Sequence, residues 1–295
     1  MTDGPQGQLG FPGMPRRLFS CTPSRLASWS ACPRRYRMTY LDRPRPVSGP
    51  PWAHNSLGAA IHAALAAWWR LSLGERTVPK SAALLDAGWS REGFRDDDQA
   101  ASWRDRAKEM IQRYVAALDP ADEPLGVERT LAARTQRLAL SGRLDRLDDR
   151  DGELVVVDYK TGRRPLTTDD ARGSLALALY AVTAASTMRR PCHTVELHQL
   201  QTGEVLAWEH TDESLARQLR RAEDIAEDAA AAHVAFAEFG AEAPAFAPVP
   251  GAQCGWCDMR AHCPAGQRAG PAKRSWDGLA DVGSKGPFEQ VGGPT

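Results

Sequence analysis

Lysine is scarce in this chain. Of 37 basic residues only five are lysines: Lys80, Lys108, Lys160, Lys273 and Lys285. Four of them sit in polar or loop-like surroundings, so Lys160, which ends an apolar run, stands apart. Net charge is lacking too, with 37 bases against 37 acids, and this argues against a wholly basic nucleic-acid coat. No apolar run approaches the ~20 residues that a membrane helix needs. The first residues, MTDGPQGQLGFPGMPRRLFS, show no cationic stretch followed by an apolar core, so no secretory leader is read and a cytoplasmic protein is expected. With 42% hydrophobic and 25% charged residues, the composition is that of a globular chain.

The bases are unevenly spread. Between Arg16 and Arg45, eight arginines (16, 17, 25, 34, 35, 37, 43 and 45) meet a single acid, Asp42. Such a stretch reads either as a solvated face in a chain that prefers arginine, or as a cationic surface able to hold phosphate.

Residues 1–15 and 269–295, rich in Gly and Pro, read as disordered ends around one domain over 16–268. The spacing of apolar residues predicts helices over 22–35, 56–69, 99–118, 169–187 and 212–239. Alternation predicts strands at 127–134 and 136–147, then an Asp-Gly turn within 148–152 and an apolar β-branched strand at 153–159. A hairpin is predicted over 193–200 and 205–210. The fold class is α+β, with a mostly antiparallel sheet.

The chemistry gathers in Ser141-Gly-Arg-Leu-Asp145 and Val155-Val-Val-Asp158-Tyr-Lys160. Side chains two apart in a strand share a face, which puts Asp158 with Lys160. Folding at the turn would bring Asp145 beside Asp158. Two carboxylates so placed repel unless a proton or a cation lies between them, and a hard divalent ion such as Mg2+ suits oxygen ligands. That ion can activate water and stabilise charge on a phosphate, with a nearby lysine orienting the water. The plainer reading is a surface hairpin whose charges pair. His62, in Gly58-Ala-Ala-Ile-His62, shares an apolar helical side with Leu65, Ala66 and Trp69, as a core histidine or a metal ligand.

Six cysteines occur, at 21, 32, 192, 254, 257 and 263. The last three form C-x2-C-x5-C, and such clustering in a chain without a leader favours a metal over disulfides. Cys32 is the leading fourth ligand, with Cys21 in reserve; His262 could join a zinc site. Spacing leaves tetrahedral zinc and a [4Fe–4S] cluster both open.

Together these pieces resemble the RecB-type branch of the PD-(D/E)XK nuclease superfamily, in its iron–sulfur form as found in AddB-like helicase–nucleases and some CRISPR-adaptation exonucleases. The resemblance spans about residues 20–268. It rests on Ser24 to Tyr36 (S-x-L-x-x-W-x-x-C-P-R-R-Y), Gly58 to His62 (G-x-x-x-H), Gly142 to Asp145 (G-R-L-D), Val156 to Lys160 (V-V-D-Y-K), and the cysteine motif ending at Pro264. It implies a mixed central sheet flanked by helices. It makes His62, Asp145, Asp158 and the Tyr159 carbonyl ligands of Mg2+ or Mn2+, and Lys160 the residue that positions water. Cys32, Cys254, Cys257 and Cys263 become ligands of a [4Fe–4S] cluster, with zinc as the alternative.

The family often carries Gln-x-x-x-Tyr on the helix after the lysine strand; here Tyr180 matches as a catalytic residue, but Ala176 stands at the glutamine. Arg34, Arg35, Arg163 and Arg164 are candidate strand contacts. The resemblance implies an exonuclease hydrolysing phosphodiesters in single-stranded DNA or at duplex ends, in repair or recombination. No G-x-x-x-x-G-K-S/T loop is present, so unwinding would fall to a helicase partner. Ala176 favours the alternative, a non-catalytic DNA-binding or assembly module of the same fold.

Overall fold

The computed structural model describes residues 18–279; the expected disorder of 1–15, and of the tail beyond 279, lies outside that range. Strand β1 (Phe19–Cys21) leads into helix α1 (Pro23–Ala31), capped by Thr22 Oγ1, which accepts from the Arg25 N–H at 3.1 Å. The helix expected over 22–35 is in fact two. Cys32 is extended (φ −168°, ψ 108°), and α2 (Pro33–Tyr40) starts at the following proline, because a residue before proline is held out of the helical region. Cys32 therefore sits at a corner of the chain.

Helices α3 (Ala53–Trp69), α4 (Val78–Ala87) and α5 (Asp97–Ala116) follow. Helix α4 was not foreseen, although Thr77 caps it and a proline stands in its first turn. Then come β2 (Gly126–Arg134), β3 (Leu138–Arg150) and β4 (Glu153–Lys160). Asp151 and Gly152 close the β3–β4 hairpin with φ of 52° and 93°, the left-handed pair that a two-residue turn between twisted strands requires. Helices α6 (Thr168–Gly173) and α7 (Leu175–Met188) replace the single helix expected at 169–187. The break is Ser174, whose Oγ accepts from the Leu177 N–H at 3.3 Å and caps the restart. Strands β5 (Thr194–Gln199) and β6 (Glu204–Glu209), helix α8 (Asp212–Phe239) and the short α9 (Pro264–Arg268) complete the order.

The sheet is mixed. β2 runs antiparallel along β3 from Gly126↔Leu147 to Arg134↔Ala139. The other edge of β3 changes partner: β1 pairs with it in parallel at 138–140, and β4 pairs antiparallel at 146–150. β4 pairs in parallel with β5, and β5 antiparallel with β6. The expected antiparallel pairings are present, and the two parallel ones are added by distant segments; α6 and α7 form the crossover that a parallel β4–β5 pair needs.

β4 alternates as a strand buried on both faces must. Val155, Val157 and Tyr159 pack with Trp68, Trp69 and Trp103 of α3 and α5, while Leu154 and Val156 pack with Leu177, Ala178 and Ala181 of α7. Residues 270–279 are not a loose tail. Ser275 O accepts from the Ala53 N–H at 3.0 Å, Trp276 packs on the α3 core, and Leu279 is buried. Their two large apolar side chains outweigh the Gly/Pro content around them. No helix among the described residues is long and apolar enough to cross a membrane.

Candidate active site

Between the β1 and β4 ladders, the edge of β3 at 141–145 is left without a strand partner. That gap is the Ser141–Asp145 motif. The β3–β4 ladder ends at Arg146↔Val157, so the next residues across the fork are Asp145 and Asp158, as the turn predicted. Instead of continuing the ladder, the Tyr159 N–H donates to Asp145 Oδ2 at 2.8 Å.

A third acid completes the row. Val127↔Arg146 and Arg129↔Leu144 bracket Glu128 opposite Asp145 on the β2 side. Glu128 has φ 48°, a left-handed conformation that costs a non-glycine residue on the order of 1 kcal/mol and often marks functional positions. The sequence reading missed it, because the observed register, Arg134↔Ala139, is not the one that the predicted bounds 127–134 and 136–147 would give.

His62 descends from α3. Its Nδ1 lies 3.3 Å from Asp145 Oδ1 and 4.0 Å from Glu128 Oε1, and its Nε2 lies 3.1 Å from the Tyr159 carbonyl. A carbonyl can only accept, so Nε2 carries the hydrogen and Nδ1 faces the acids. The Tyr159 carbonyl, expected as a metal ligand, is thus the partner that orients the imidazole. Burial would lower the His62 pKa, but the hydrogen bond and charge of Asp145, with Asp158 and Glu128, raise it overall.

Ligand atoms of His62, Glu128 and Asp145 all lie within 4.8 Å of one another. Two carboxylates that close repel by about 3–4 kcal/mol at an effective dielectric of ~20. Arg143 Nε, 2.8 Å from Glu128 Oε2, offsets part of this. Two carboxylates and an imidazole fit a divalent cation such as Mg2+ or Mn2+. Asp158 lies outside this trio, its Oδ2 against the Lys160 ammonium. Burial raises its carboxyl above the ordinary value, with Lys160 opposing and Asp145 adding.

Tyr180, on α7, stands over Gly142, and burial, followed by the charges of Asp158 and Asp145, pushes its hydroxyl up to about 12. It remains a proton donor at neutral pH. Ala176 lies one turn before it, on the same helix.

The site opens into a cleft of about 800 Å3. One wall is a single face of α3, with His54, Gly58, His62, Ala66 and Arg70 recurring every fourth residue over ~24 Å. Lys160 to Arg163 line the cleft too, with Thr161 against Gly58, and Gly278 stands beside His54 with Leu279 next to it. Of the expected strand contacts, Arg163 lines the cleft and Arg164 is paired with Asp170 at 2.7 Å.

Arg34 and Arg35 lie elsewhere: Arg34 Nε donates to Phe246 O at 3.4 Å, and Arg35 pairs with Asp258 at 3.3 Å. Arg25 bonds Tyr36 and Arg37 pairs with Asp42. The basic run among the described residues is largely spent on internal contacts, because its arginines flank buried aromatics and carbonyl ends. Arg143 and Arg70, not foreseen, line the cleft instead.

The sequence profile of the PD-(D/E)XK nuclease superfamily matches residues 20–264. The chain belongs to this superfamily. Its members are nucleases that act on DNA with divalent metal ions, which is the chemistry the acid row accommodates. No curated protein matches the chain in sequence. Among solved structures, a candidate exonuclease from Eubacterium rectale is similar, at 12% identity over 83% of this chain and 88% of that one, with a TM-score of 0.45.

This PD-(D/E)XK chain carries a second cavity, of about 80 Å3, onto which Cys32, Cys254, Cys257 and Cys263 all open beside Met38 and Met259. Cys263 Sγ accepts from the Gly266 N–H at 3.3 Å. Among the described residues no three thiols come within 4.8 Å of one another. His262 points away, its Nε2 2.9 Å from Val47 O. Cys21 and Cys192 are buried in apolar cores, which pushes their thiols up to about 11 and about 12.

Proposed function

We propose that this chain is a divalent-metal-dependent DNA exonuclease of the RecB-type branch, hydrolysing phosphodiesters in single strands or at duplex ends in DNA repair or recombination. The observation that carries the reading is the row Glu128–Asp145–Asp158 at the open end of the β3–β4 fork, with His62 above it and Lys160 beside it. His62 Nδ1, Glu128 and Asp145 would hold the ion, with Asp158 adjoining. When bound, a divalent ion supplies an activated water and neutralises charge growing on phosphorus. Lys160 orients the water, Tyr180 donates a proton or hydrogen bond from the α7 side, and Arg163 and Arg143 contact the phosphates.

Cys32, Cys254, Cys257 and Cys263, which open on one cavity, would hold a [4Fe–4S] cluster, with zinc as the alternative. Such a cluster would clasp residue 32 to residues 254–263 and limit the unfolded chain.

Linear and covalently closed single-stranded DNA, incubated with Mn2+, Mg2+ or EDTA, test this reading. Metal-dependent loss of the linear strand alone, abolished by Lys160→Ala, is expected. Cleavage of the circle would make it an endonuclease. Binding without cleavage under any metal would support the non-catalytic module that Ala176 favours. Anaerobically purified protein should be brown, with iron and sulfide; colourless protein containing zinc would remove the cluster.

A further inference from the structure

Every polar group of Tyr159 is committed to a partner that defines the site. Its N–H donates to Asp145 Oδ2 at 2.8 Å, and its carbonyl accepts from His62 Nε2 at 3.1 Å. Its hydroxyl accepts from Trp69 Nε1 at 3.3 Å and from Arg146 at 3.5 Å. The ring is buried, 3% exposed, on the opposite face of β4 from Leu154 and Val156. Trp69 lies on α3, two turns after His62; Arg146 lies on β3, next to Asp145.

The hydroxyl is joined through Arg146 and Tyr114 to a closed polar ring beneath the fork. Arg146 donates to the Tyr114 hydroxyl at 3.2 Å and to Asp148 Oδ2 at 2.8 Å. Tyr114 Oη lies 2.7 Å from His198 Nδ1, and His198 Nε2 lies 2.8 Å from Glu196. Arg150 joins Glu196 at 2.6 Å to Asp148 at 3.1 Å and closes the circuit. Apart from Arg146 Nε the polar atoms of this ring find partners, and such a network in a low-dielectric interior holds its members in place.

The geometry points to Tyr159 as a positioning residue: its hydroxyl, fixed by Trp69 and Arg146, sets where its main chain holds His62 and Asp145, and so sets the affinity of the site for its divalent ion. This inference rests on the reading of His62 and Asp145 as ion ligands. Groups that orient ligands from behind typically change metal affinity about 10- to 100-fold when removed. Tyr159→Phe removes only the oxygen and leaves the ring and both main-chain contacts in place. Tyr114→Phe cuts the ring and removes a hydroxyl that bonds the Tyr159 hydroxyl, while touching neither ligand.

The test is Mn2+ binding to the metal-free full chain, read from the electron paramagnetic resonance of free Mn2+, far below the melting temperature of each variant. The wild type should bind, and Asp145→Asn should lose most of that binding; failure of either would overturn the ligand reading itself. With those two in hand, Tyr159→Phe, which acts through the main chain, should weaken Mn2+ binding about 10-fold, the low end of that range, and Tyr114→Phe by a smaller factor, with the KM for DNA unchanged in both. Wild-type affinity in a folded Tyr159→Phe protein would overturn the inference. Should Tyr159→Phe fail to fold, wild-type affinity in Tyr114→Phe would overturn it instead.

Discussion

A Cβ on Gly142 would stand 2.6 Å from Cε1 of Tyr180; the tyrosine ring occupies the space that a side chain at 142 would need. The glycine of one sequence motif is thus explained by the tyrosine of another, across the sheet from α7 to β3. Gly142→Ala should cost about 1–3 kcal/mol through overpacking, read as a fall in Tm. Tyr180→Ala in the same chain should recover part of that loss, so the two effects should be non-additive. Simple additivity would show that the ring does not set the glycine.

Glu128 is the acid that alternation alone did not reveal. Glu128→Gln keeps the shape but removes one of two facing charges. It should lower kcat at limiting Mn2+ by more than the about 10- to 100-fold of an outer partner, with partial recovery as Mn2+ is raised. Unchanged activity across the Mn2+ titration would remove Glu128 from the site.

Arg163 lines the cleft and makes no ion pair among the described residues. Arg163→Ala should weaken binding of all DNA sequences alike and reduce the slope of log K against log salt by about 1. Arg34→Ala, whose guanidinium reaches Phe246 O, should leave that slope unchanged. The opposite pattern would return the strand contact to the N-terminal basic run.

Glu196 gives the pH dependence of stability. Burial works against its ionisation, but hydrogen bonds from His198 and Arg150 hold the carboxyl down at about 2. A carboxyl depressed in the folded state stabilises the protein above its unfolded pKa of about 4.3, and that stability disappears as pH falls towards 2. Arg150 is half-exposed, so solvent screening leaves on the order of 2 kcal/mol at neutral pH. Glu196→Gln should therefore lower Tm at pH 7 and flatten its decline between about pH 4.5 and 2. Parallel Tm–pH curves for the two proteins would contradict this.

Cys21 and Cys192 should remain unmodified when the native protein meets iodoacetamide at pH 7.5, since only a thiolate reacts and burial keeps both protonated. Mass spectrometry of peptides before and after denaturation reads this directly. Rapid native labelling of either would place it outside the apolar cores.

The fork was legible because its information is local. An Asp-Gly turn between two β patterns fixes Asp145 against Asp158, and period two puts Lys160 beside Asp158. The break at Cys32 was also written in the chain, as Cys-Pro. What stayed hidden depends on distant segments. β1 and β5 pair in parallel with strands far away in sequence, and no local pattern announces that. Glu128 joins the site through a left-handed backbone that alternation does not encode. Arg34 and Arg35 looked like phosphate contacts until Phe246 and Asp258, more than two hundred residues later, claimed them. Trp276 and Leu279 belonged to a segment whose composition pointed to disorder.

The most direct test is single-turnover digestion of end-labelled linear single-stranded DNA with saturating Mn2+, by the wild type, Asp145→Asn and Lys160→Ala, with DNA binding measured on the same samples. Cleavage by the wild type, stopped by EDTA and lost in both variants while binding persists, is the predicted result. A wild type that binds but never cuts, or an Asp145→Asn protein that cuts as fast as the wild type, would contradict the account.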